Sequence, residues 1–391
     1  MAHYLQRKGY EGVAVTVPVT VAYERYSTRG AHWFLGQAVR ALVQQSGLAK
    51  EQIDGLTVSS FSLGPDTAVG VTQHLGLSPR WLDHIPTGGA SGVMALRRAA
   101  RAVQAGDAEV VACVAADTNH VDSFRHTLGA FSHFSRDASY PYGAGGPNSM
   151  FAFITAHYMR TYGAKREDFG RIAVAQRSNA LKNPNALFKK PLSLEEYMAA
   201  RPVSDPIHLF DCVMPCAGAE AFLVMSPERA RDLGLPHVLL RGAIERHNAF
   251  SNDPVMVCGG WAMDRDDLYA QAAVKPQEID VLQTYDDYPV IVMMQFEDLG
   301  FCAKGEGPAF VRSHDLTCAG DFPQNTGGAQ LSCGQAGAAG GFIGMTETIR
   351  QLTAQAGERN VANARYGMVG GFGMVTYDRC LCTGAVILEA A

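Results

Sequence analysis

The sequence lacks the long apolar runs and the basic runs that would indicate a membrane or a nucleic-acid partner. No hydrophobic stretch reaches the roughly 18 residues of a membrane-spanning helix. Residues 1–15 lack the apolar core and the small-residue cleavage site of a secretory signal peptide. The net charge is −5, and no long Lys/Arg run offers a stripe for binding phosphates. We therefore expect a cytoplasmic protein with no membrane span and no nucleic-acid partner.

The nine cysteines lack the spacing of a disulfide framework or of a zinc site. An odd number at scattered positions favours reduced thiols. Cys212 and Cys216 are four residues apart, and Cys380 is two residues before Cys382. Neither pair has a second pair to complete the four ligands of a structural zinc ion. We expect no metal site.

Two glycine-rich stretches are present, and each leads into an amphipathic helix. In the first, at residues 84–106, apolar positions recur every three or four residues from Val93 to Val103. The second, at residues 325–357, has the same order. Exposed amides at the start of a helix attract anions, so a cleft between these two junctions can hold a thioester or enolate oxygen.

The same order of elements occurs twice, and a chain of 391 residues is long enough for two such cores. Residues 32–47 are predicted as a helix and residues 110–116 as a strand, from their apolar periodicity. Residues 272–287 repeat the turn, short helical piece and strand of residues 47–60. Each half follows the order βαβαβαββ, which predicts an α/β protein with mostly parallel sheets covered by helices.

The repeat divides the chain into two halves and an insertion. Residues 1–117 and 207–235 form the N-terminal half, and residues 236–391 form the C-terminal half. Residues 118–206 lie between the matched parts and are rich in Gly, Pro, His and aromatic residues. A long excursion of this kind is more often a functional lid or an interface than packing filler.

Aromatic and histidine side chains of the insertion are candidates for contact with a substrate. The aromatic residues are Phe124, Phe131, Phe134, Tyr140, Tyr142, Phe151 and Phe153. They suit a bulky apolar substrate, but a dimer interface or a core explains them equally well. The histidines His120, His126 and His133 either approach the cleft or are hydrogen-bonded loop side chains.

Five segments together carry a resemblance to a known family. They are SYPYG (139–143), RPVSDPIHLFDCVMPCAGAEAFLV (201–224), TYDDY (284–288), FEDLGFCAKGEGPAF (296–310) and NTGG (325–328). In this combination the chain resembles the thiolase superfamily, most closely the sterol-carrier-protein type of thiolase and its lipid-transfer-protein-like relatives.

The resemblance implies a thiolase fold, a five-layered αβαβα arrangement of two stacked sheets with helices between and outside them. It also implies a homodimer that acts on acyl-CoA, with CoA as part of the substrate and no separate cofactor. Members of this branch often work with a small zinc-ribbon and OB-fold partner chain, so such a partner protein is expected here as well.

The three catalytic groups of the family are missing. The family pattern Cys-Ala-Ser-Gly at the first junction is replaced by the residues from Gly89 to Gly92, and glycine carries no nucleophile. The family's Gly-His at the second junction is Gly334-Gln335 here. Glutamine donates an N–H to an oxyanion but is neither an acid nor a base near pH 7. The acid/base cysteine of the family falls at about Met368.

The segment TYDDY places Tyr285 and Asp286 at the end of a strand, facing the expected cleft. A tyrosine followed by aspartate here resembles the retro-aldolase members of the branch, which cleave β-hydroxyacyl-CoA without a covalent intermediate. That reaction needs a base for the β-hydroxyl and donors for the thioester enolate, but no acyl carrier. Tyr285 exchanges this proton if its neighbours bring its pKa of about 10 closer to neutral. The alternative is that Tyr285 only packs at the strand end.

The candidate site therefore has catalytic and oxyanion-binding parts. The catalytic candidates are Tyr285, Asp286 and Gln335. Glycines that allow close approach of the backbone to a substrate are Gly89, Gly328, Gly334 and Gly371. Tight packing of a loop on a helix explains these glycines equally well.

Two other functions stay open at this point. One is a thiolase-type acyltransferase whose nucleophile has moved to Cys333, although a small half-buried thiol is the simpler interpretation of that residue. The other is a non-catalytic subunit that binds acyl-CoA or lipid. The sequence does not identify the acyl group.

Overall fold

The computed structural model describes residues 9–120, 140–144, 146–376 and 379–391. Its strands are β1 (Ala14–Glu24), β2 (Gly55–Ser59), β3 (Trp81–His84), β4 (Val110–Asp117), β5 (Pro202–Ser204), β6 (Ile207–His208), β7 (Ala217–Met225), β8 (His237–His247), β9 (Val281–Gln283), β10 (Tyr366–Thr376) and β11 (Arg379–Ala390). Its α-helices are α1 (Ala31–Ser46), α2 (Ala68–Leu75), α3 (Ser91–Ala105), α4 (Pro147–Tyr162), α5 (Arg166–Leu181), α6 (Leu194–Ala199), α7 (Pro227–Asp232), α8 (Trp261–Ala272), α9 (Pro289–Asp298), α10 (Gly307–Ser313), α11 (Ala329–Cys333) and α12 (Ile343–Leu352).

The two halves have the same strand order, which confirms the duplication. The main sheet runs β3-β2-β4-β7-β1-β8-β11-β10-β9. Strands β2, β4, β7 and β1 of the first half correspond to β9, β10, β11 and β8 of the second. An isolated bridge between Leu282 and Gln324 occupies the place of β3 in the second half.

Two details of the sheet differ from the sequence prediction. The two sheets form one continuous ladder, because Ala14–Thr16 of β1 pairs with His237–Leu239 of β8. Among the strands of the described residues, most pairs are antiparallel, and only β2–β3, β2–β4 and β9–β10 are parallel. The apolar pattern of a buried strand does not report its direction, and β11 follows β10 almost directly in the chain, which requires an antiparallel pair.

Helices separate and cover the two halves in five layers. Helices α3 and α12 contact strands of both halves and so form the central layer. Helix α1 packs on strands of the first half, and α8 packs on strands of the second. The central layer is tight, since a Cβ atom added to Gly92 would overlap the carbonyl oxygen of Gly341. This arrangement brings the starts of α3 and α12 together.

The described part of the insertion lies over the second half. Helix α5 packs on α9, α10 and α11. The Tyr158 hydroxyl of α4 donates a hydrogen bond to Glu297, whose carboxylate lies 2.9 Å from the Lys304 ammonium. Glu297 and Lys304 both belong to the segment 296–310, so these residues of the family pattern join the insertion to α9.

The aromatic residues of the insertion have different environments. Phe151 is fully buried in the core, whereas the side chain of Phe153 is 58 % exposed. Phe124, Phe131, Phe134, His126 and His133 lie outside the described residues. In the described part of the chain, no helix combines the length and the apolar character needed to cross a membrane.

Candidate active site

The two glycine-rich junctions meet, as the sequence predicts. The turn Gly88–Ala90 leads into α3, and the turn Gly337–Phe342 leads into α12. A Cβ atom added to Gly341 would lie 2.7 Å from the carbonyl oxygen of Gly89. The backbones of both helix starts are therefore in direct contact, and the segment after β9 reaches the same place.

The ring of Tyr285 occupies the space of the missing nucleophile. A Cβ atom added to Gly89 would overlap Cε2 and Cζ of Tyr285, and also the carbonyl oxygen of Phe372. The Tyr285 ring itself is stacked on the Phe372 ring, with centroids 6.0 Å apart. A cysteine at position 89 and a tyrosine at position 285 thus exclude each other in this backbone.

Gln335 holds the hydroxyl of Tyr285. Its Nε2 donates a hydrogen bond to the Tyr285 Oη atom at 3.3 Å. The Gln335 main chain is fixed on both sides, since its N–H donates to Met214 O at 2.9 Å and its carbonyl accepts from Cys216 N at 2.9 Å. Two of the three catalytic candidates are therefore in contact.

The pKa of Tyr285 moves away from neutral, so its neighbours do not meet the condition for simple proton exchange. Burial raises this pKa well above its ordinary value, and the negative charge of Asp287 raises it further. The hydrogen bond from Gln335 lowers it by less. Tyr285 is 7 % exposed, so the neutral phenol is the resting form at physiological pH.

Asp286 is bound to the start of α11. Its carboxylate accepts hydrogen bonds from the N–H groups of Gln330 and Leu331, both at 3.0 Å. Burial raises the pKa of Asp286 to about 7, although these donors favour the ionised form. The carboxylate proposed from the sequence thus positions a short helix beside Gln335.

Asp287 is a residue of the site that the sequence did not single out. Its Oδ1 atom is buried and has no hydrogen-bond partner among the described residues. Burial raises the pKa of Asp287 well above its usual range, and the charge of Asp286 adds to this effect. A buried carboxylate oxygen without a hydrogen-bond partner is rare in packing and more common at functional sites. The sequence signal that pointed to this residue was the second aspartate of the segment TYDDY.

The candidate glycines do not all serve the same purpose. Gly371 packs on the first junction, where an added Cβ atom would lie 3.1 Å from the Ala90 Cα atom. Gly328 has a φ of 90°, and an added Cβ atom would overlap the Ala180 side chain of α5. Gly334 also has a positive φ, 112°, at the end of α11. Close packing accounts for Gly328, whereas Gly371 lies beside the junction.

Cys333 is an unfavourable nucleophile. It is 2 % exposed, and its Sγ atom donates to the carbonyl of Gly327 at 2.9 Å. The amide of Asn183 lies 3.3 Å from the same sulfur. Burial raises the pKa of the Cys333 thiol, which disfavours the thiolate that acyl transfer needs. Among the described residues, no group of three or more His, Cys, Asp and Glu side chains is placed to hold a metal ion.

Residues 242–383 match the family model of the thiolase C-terminal domain-like proteins. A steroid side-chain-cleaving aldolase of Thermomonospora curvata is 33 % identical over 312 residues, which cover 75 % of this chain and 79 % of the relative. A 17-hydroxy-3-oxo-4-pregnene-20-carboxyl-CoA lyase of Mycobacterium tuberculosis is 30 % identical over 349 residues, covering 84 % of this chain and 88 % of the lyase.

A solved structure, the Ltp2-ChsH2(DUF35) aldolase, shares the whole fold. It superposes with a TM-score of 0.84 at 27 % identity, covering 97 % of this chain and 98 % of the matched chain. The duplicated five-layered fold, the two junctions and these relatives agree. The chain therefore belongs to the thiolase superfamily, in its sterol-carrier-protein-type, retro-aldolase-like branch.

Proposed function

We propose that the protein is a lyase that cleaves a β-hydroxyacyl-CoA by a retro-aldol reaction. The observation that carries the proposal is the Tyr285 ring in the place of the nucleophilic cysteine at position 89. Acyl transfer through that position is impossible, whereas aldol cleavage needs no covalent acyl carrier. Two relatives that are named as an aldolase and as a CoA lyase support the same reaction.

The reaction requires two kinds of group. The β-hydroxyl gives its proton to a base, the bond between Cα and Cβ breaks, and its electron pair forms the thioester enolate. Protonation of the enolate at Cα then leaves a shorter acyl-CoA and a ketone or aldehyde. N–H donors that converge on the enolate oxygen stabilise it, and the two junctions and the Gln335 amide are the candidate donors.

Tyr285 and Asp287 are the proposed proton-transfer pair. A neutral phenol accepts the β-hydroxyl proton only as its own proton leaves. Of the charged groups around Tyr285, Asp287 acts on it most strongly, and its Oδ1 atom is unpaired in the described structure. Asp287 is proposed to receive this proton in its ionised form, which burial makes the less populated form but the stronger base.

Product analysis tests the proposal. The protein is incubated with a β-hydroxyacyl-CoA in the absence of free CoA, with the compound named for the Mycobacterium tuberculosis lyase as the first substrate. We expect equal amounts of a carbonyl product and a shorter acyl-CoA, and an unmodified protein by intact mass spectrometry. Product that needs free CoA, with an acyl adduct on Cys333, would instead establish an acyltransferase. Binding without turnover, even with the partner chain present, would establish a non-catalytic subunit.

We propose that the active form is a homodimer in contact with a small zinc-ribbon and OB-fold partner chain. The name of the similar aldolase structure joins two components, which supports a partner here. Residues 118–206 are proposed as the lid or interface element. Co-expression with the partner chain, followed by size-exclusion chromatography and the lyase assay, is expected to give a larger and more active complex. An unchanged elution volume and unchanged activity would exclude the partner.

A further inference from the structure

Asp117, at the end of β4, holds two loops at once. Its side chain is 3 % exposed. From the loop after β2, it accepts hydrogen bonds from the Ser60 hydroxyl at 2.8 Å, the Phe61 N–H at 2.9 Å and the Ser62 N–H at 2.7 Å. From the second junction it accepts the N–H of Ala338 at 2.7 Å. One buried carboxylate thus satisfies donors from both halves of the fold.

The loop after β2 lies against the first junction, and the Asp117 carboxylate lies against the second. An added Cβ atom on Gly88, in the first junction, would lie 3.1 Å from Cζ of Phe61. At the second junction, Gly337 has a φ of 53°, and an added Cβ atom would overlap Oδ2 of Asp117. Only glycine allows the carboxylate to approach the backbone this closely.

The second loop contains Gln335, and it is fixed at both ends. Met214 and Cys216 hold the main chain of Gln335, and Asp117 holds Ala338 three residues later. The turn that follows packs on the glutamine side chain, because a Cβ atom added to Gly340 would lie 3.3 Å from its Cγ atom. A shift of this turn therefore moves the Gln335 amide.

We propose that Asp117 is a positioning residue that keeps the two junctions in register and thereby directs the Gln335 amide at the Tyr285 hydroxyl. It acts through Gln335 and has no role in proton transfer. The effect on turnover rests on the proposed lyase function, whereas the effect on loop order does not.

The two oxygens of Asp117 allow a selective substitution. Ser60 and Ser62 bind Oδ1, and Ala338 binds Oδ2. The Phe61 N–H lies between the two oxygens, 2.9 Å from Oδ1 and 3.1 Å from Oδ2. In Asp117→Asn, an amide oxygen in place of Oδ1 keeps the first loop, because two backbone N–H donors require an acceptor there. The amide NH₂ then faces the N–H of Ala338, and that hydrogen bond is lost. Asp117→Ala releases both loops.

Asp54 provides a matched control at the opposite ends of the same strands. Its carboxylate accepts the N–H groups of Glu109 and Val110, both at 2.9 Å, so it also joins β2 to β4. Asp54→Ala removes a similar set of backbone hydrogen bonds far along the strands from the junctions, and is compared with Asp117→Ala. If the effects of Asp117 variants come from a general loss of stability, the Asp54 variant shows them as well. If they come from lost positioning, the Asp54 variant does not show them.

Hydrogen–deuterium exchange tests the geometry without a substrate. Asp117→Asn is expected to exchange faster than the wild type at residues 335–342 and unchanged at residues 60–62. Asp117→Ala is expected to exchange faster at both segments, and Asp54→Ala at neither. Equal exchange in the wild type and both Asp117 variants would overturn the proposal, whether or not the protein has lyase activity.

Steady-state kinetics tests the consequence for turnover. Asp117→Asn is expected to lower kcat by roughly ten- to a hundredfold, with a smaller change in KM, because a displaced donor costs transition-state stabilisation. When Asp117→Asn is added to Gln335→Ala, we expect kcat to fall by less than about twofold further, because the Gln335 amide through which Asp117 acts is already absent. Additive losses would refute the route through Gln335. A wild type without lyase activity would refute the proposed function, and the exchange data would still decide the role of Asp117.

Discussion

At position 89 a single residue decides which chemistry the site can perform. The absence of a side chain admits the Tyr285 ring, and the presence of that ring forbids a cysteine. The nucleophile of the family and the tyrosine of this chain compete for one volume. The loss of covalent chemistry and the gain of a buried phenol are therefore one structural change.

The substitution Gly89→Ala tests this competition. An added methyl group overlaps both the Tyr285 ring and the Phe372 carbonyl, so we expect a loss of about 1–3 kcal/mol in unfolding free energy, together with loss of lyase activity. Urea denaturation measures the first effect. Gly70→Ala is the control, because nothing lies within 4 Å of a Cβ atom on this exposed helical glycine. That variant is expected to be as stable as the wild type or up to about 1 kcal/mol more stable. Equal stability of Gly89→Ala and the wild type would contradict the overlap.

The sequence identified the two positions, 89 and 285, but not the overlap between them. The missing cysteine and the tyrosine were each visible from the family pattern, but their overlap joins residues that are distant in the chain. The direction of the Tyr285 pKa also depends on burial and on Asp287, which only the folded structure provides. Sequence reasoning therefore identified the tyrosine and left the direction of its pKa open.

At the scale of elements, α11 connects the carboxylate of Asp286 to the segment that carries Gln335. The helix is only five residues long and has few internal hydrogen bonds of its own. The N–H groups of Gln330 and Leu331 are satisfied by Asp286 instead. The protonation of one buried carboxylate is therefore coupled to the stability of this element.

The pH dependence of stability tests this coupling. Folding raises the pKa of Asp286 from 3.8 to about 7. Between these values the folded protein binds a proton that the unfolded chain does not. The stabilising contribution of the protonated group is present at low pH and is lost as pH rises through about 7. The slope for one such group reaches at most about 1.4 kcal/mol per pH unit.

Urea denaturation of the wild type and of Asp286→Asn at pH 5, 6 and 7 measures this slope. Titrating groups that do not interact with Asp286 are common to the two proteins and cancel in the difference between them. The titration of Asp287, whose pKa the Asp286 charge raises, stays in that difference. We expect the wild type to lose stability relative to the variant as pH rises. Parallel curves for the two proteins would show that Asp286 does not titrate in this range.

Element positions were predictable because they follow from local periodicity. The predicted helix 32–47 is found at Ala31–Ser46, and the predicted strand 110–116 at Val110–Asp117. Strand direction was not predictable in the same way, because alternation of apolar residues is identical in parallel and antiparallel strands. The ladder between β1 and β8 depends on the packing of the two halves and has no local signal.

At the scale of the whole molecule, the halves share a core. The central hydrophobic cluster contains Val93 and Leu96 of the first half together with Phe342, Val386 and Leu388 of the second, all fully buried. The pairing of β1 with β8 adds backbone hydrogen bonds across the same boundary. This cluster is therefore incomplete in either half alone, although a second cluster is formed by the first half itself.

This shared core predicts that the second half does not fold alone. Residues 236–391, expressed separately, are expected to be aggregated or to lack a cooperative thermal transition, because the buried face of α12 loses its partners. Circular dichroism and calorimetry measure this, with the full chain as the control. A cooperative transition in the isolated half would show that the duplicated units are independent domains.

The central claim is that a buried tyrosine, with no covalent intermediate, supports carbon–carbon cleavage of an acyl-CoA. Replacing Tyr285 by phenylalanine keeps the ring that fills position 89 and removes only the hydroxyl. Tyr269→Phe is the matched control, since its buried hydroxyl donates to Leu299 O at 2.8 Å and belongs to a different region.

The decisive measurement is kcat for a cleaved β-hydroxyacyl-CoA in these two variants and the wild type. Loss of a proton-transfer group lowers kcat by roughly 10²–10⁴-fold, and we expect a decrease of that size in Tyr285→Phe. Tyr269→Phe is expected to keep the wild-type rate, and both variants are expected to bind the substrate. Full turnover by Tyr285→Phe would contradict the account.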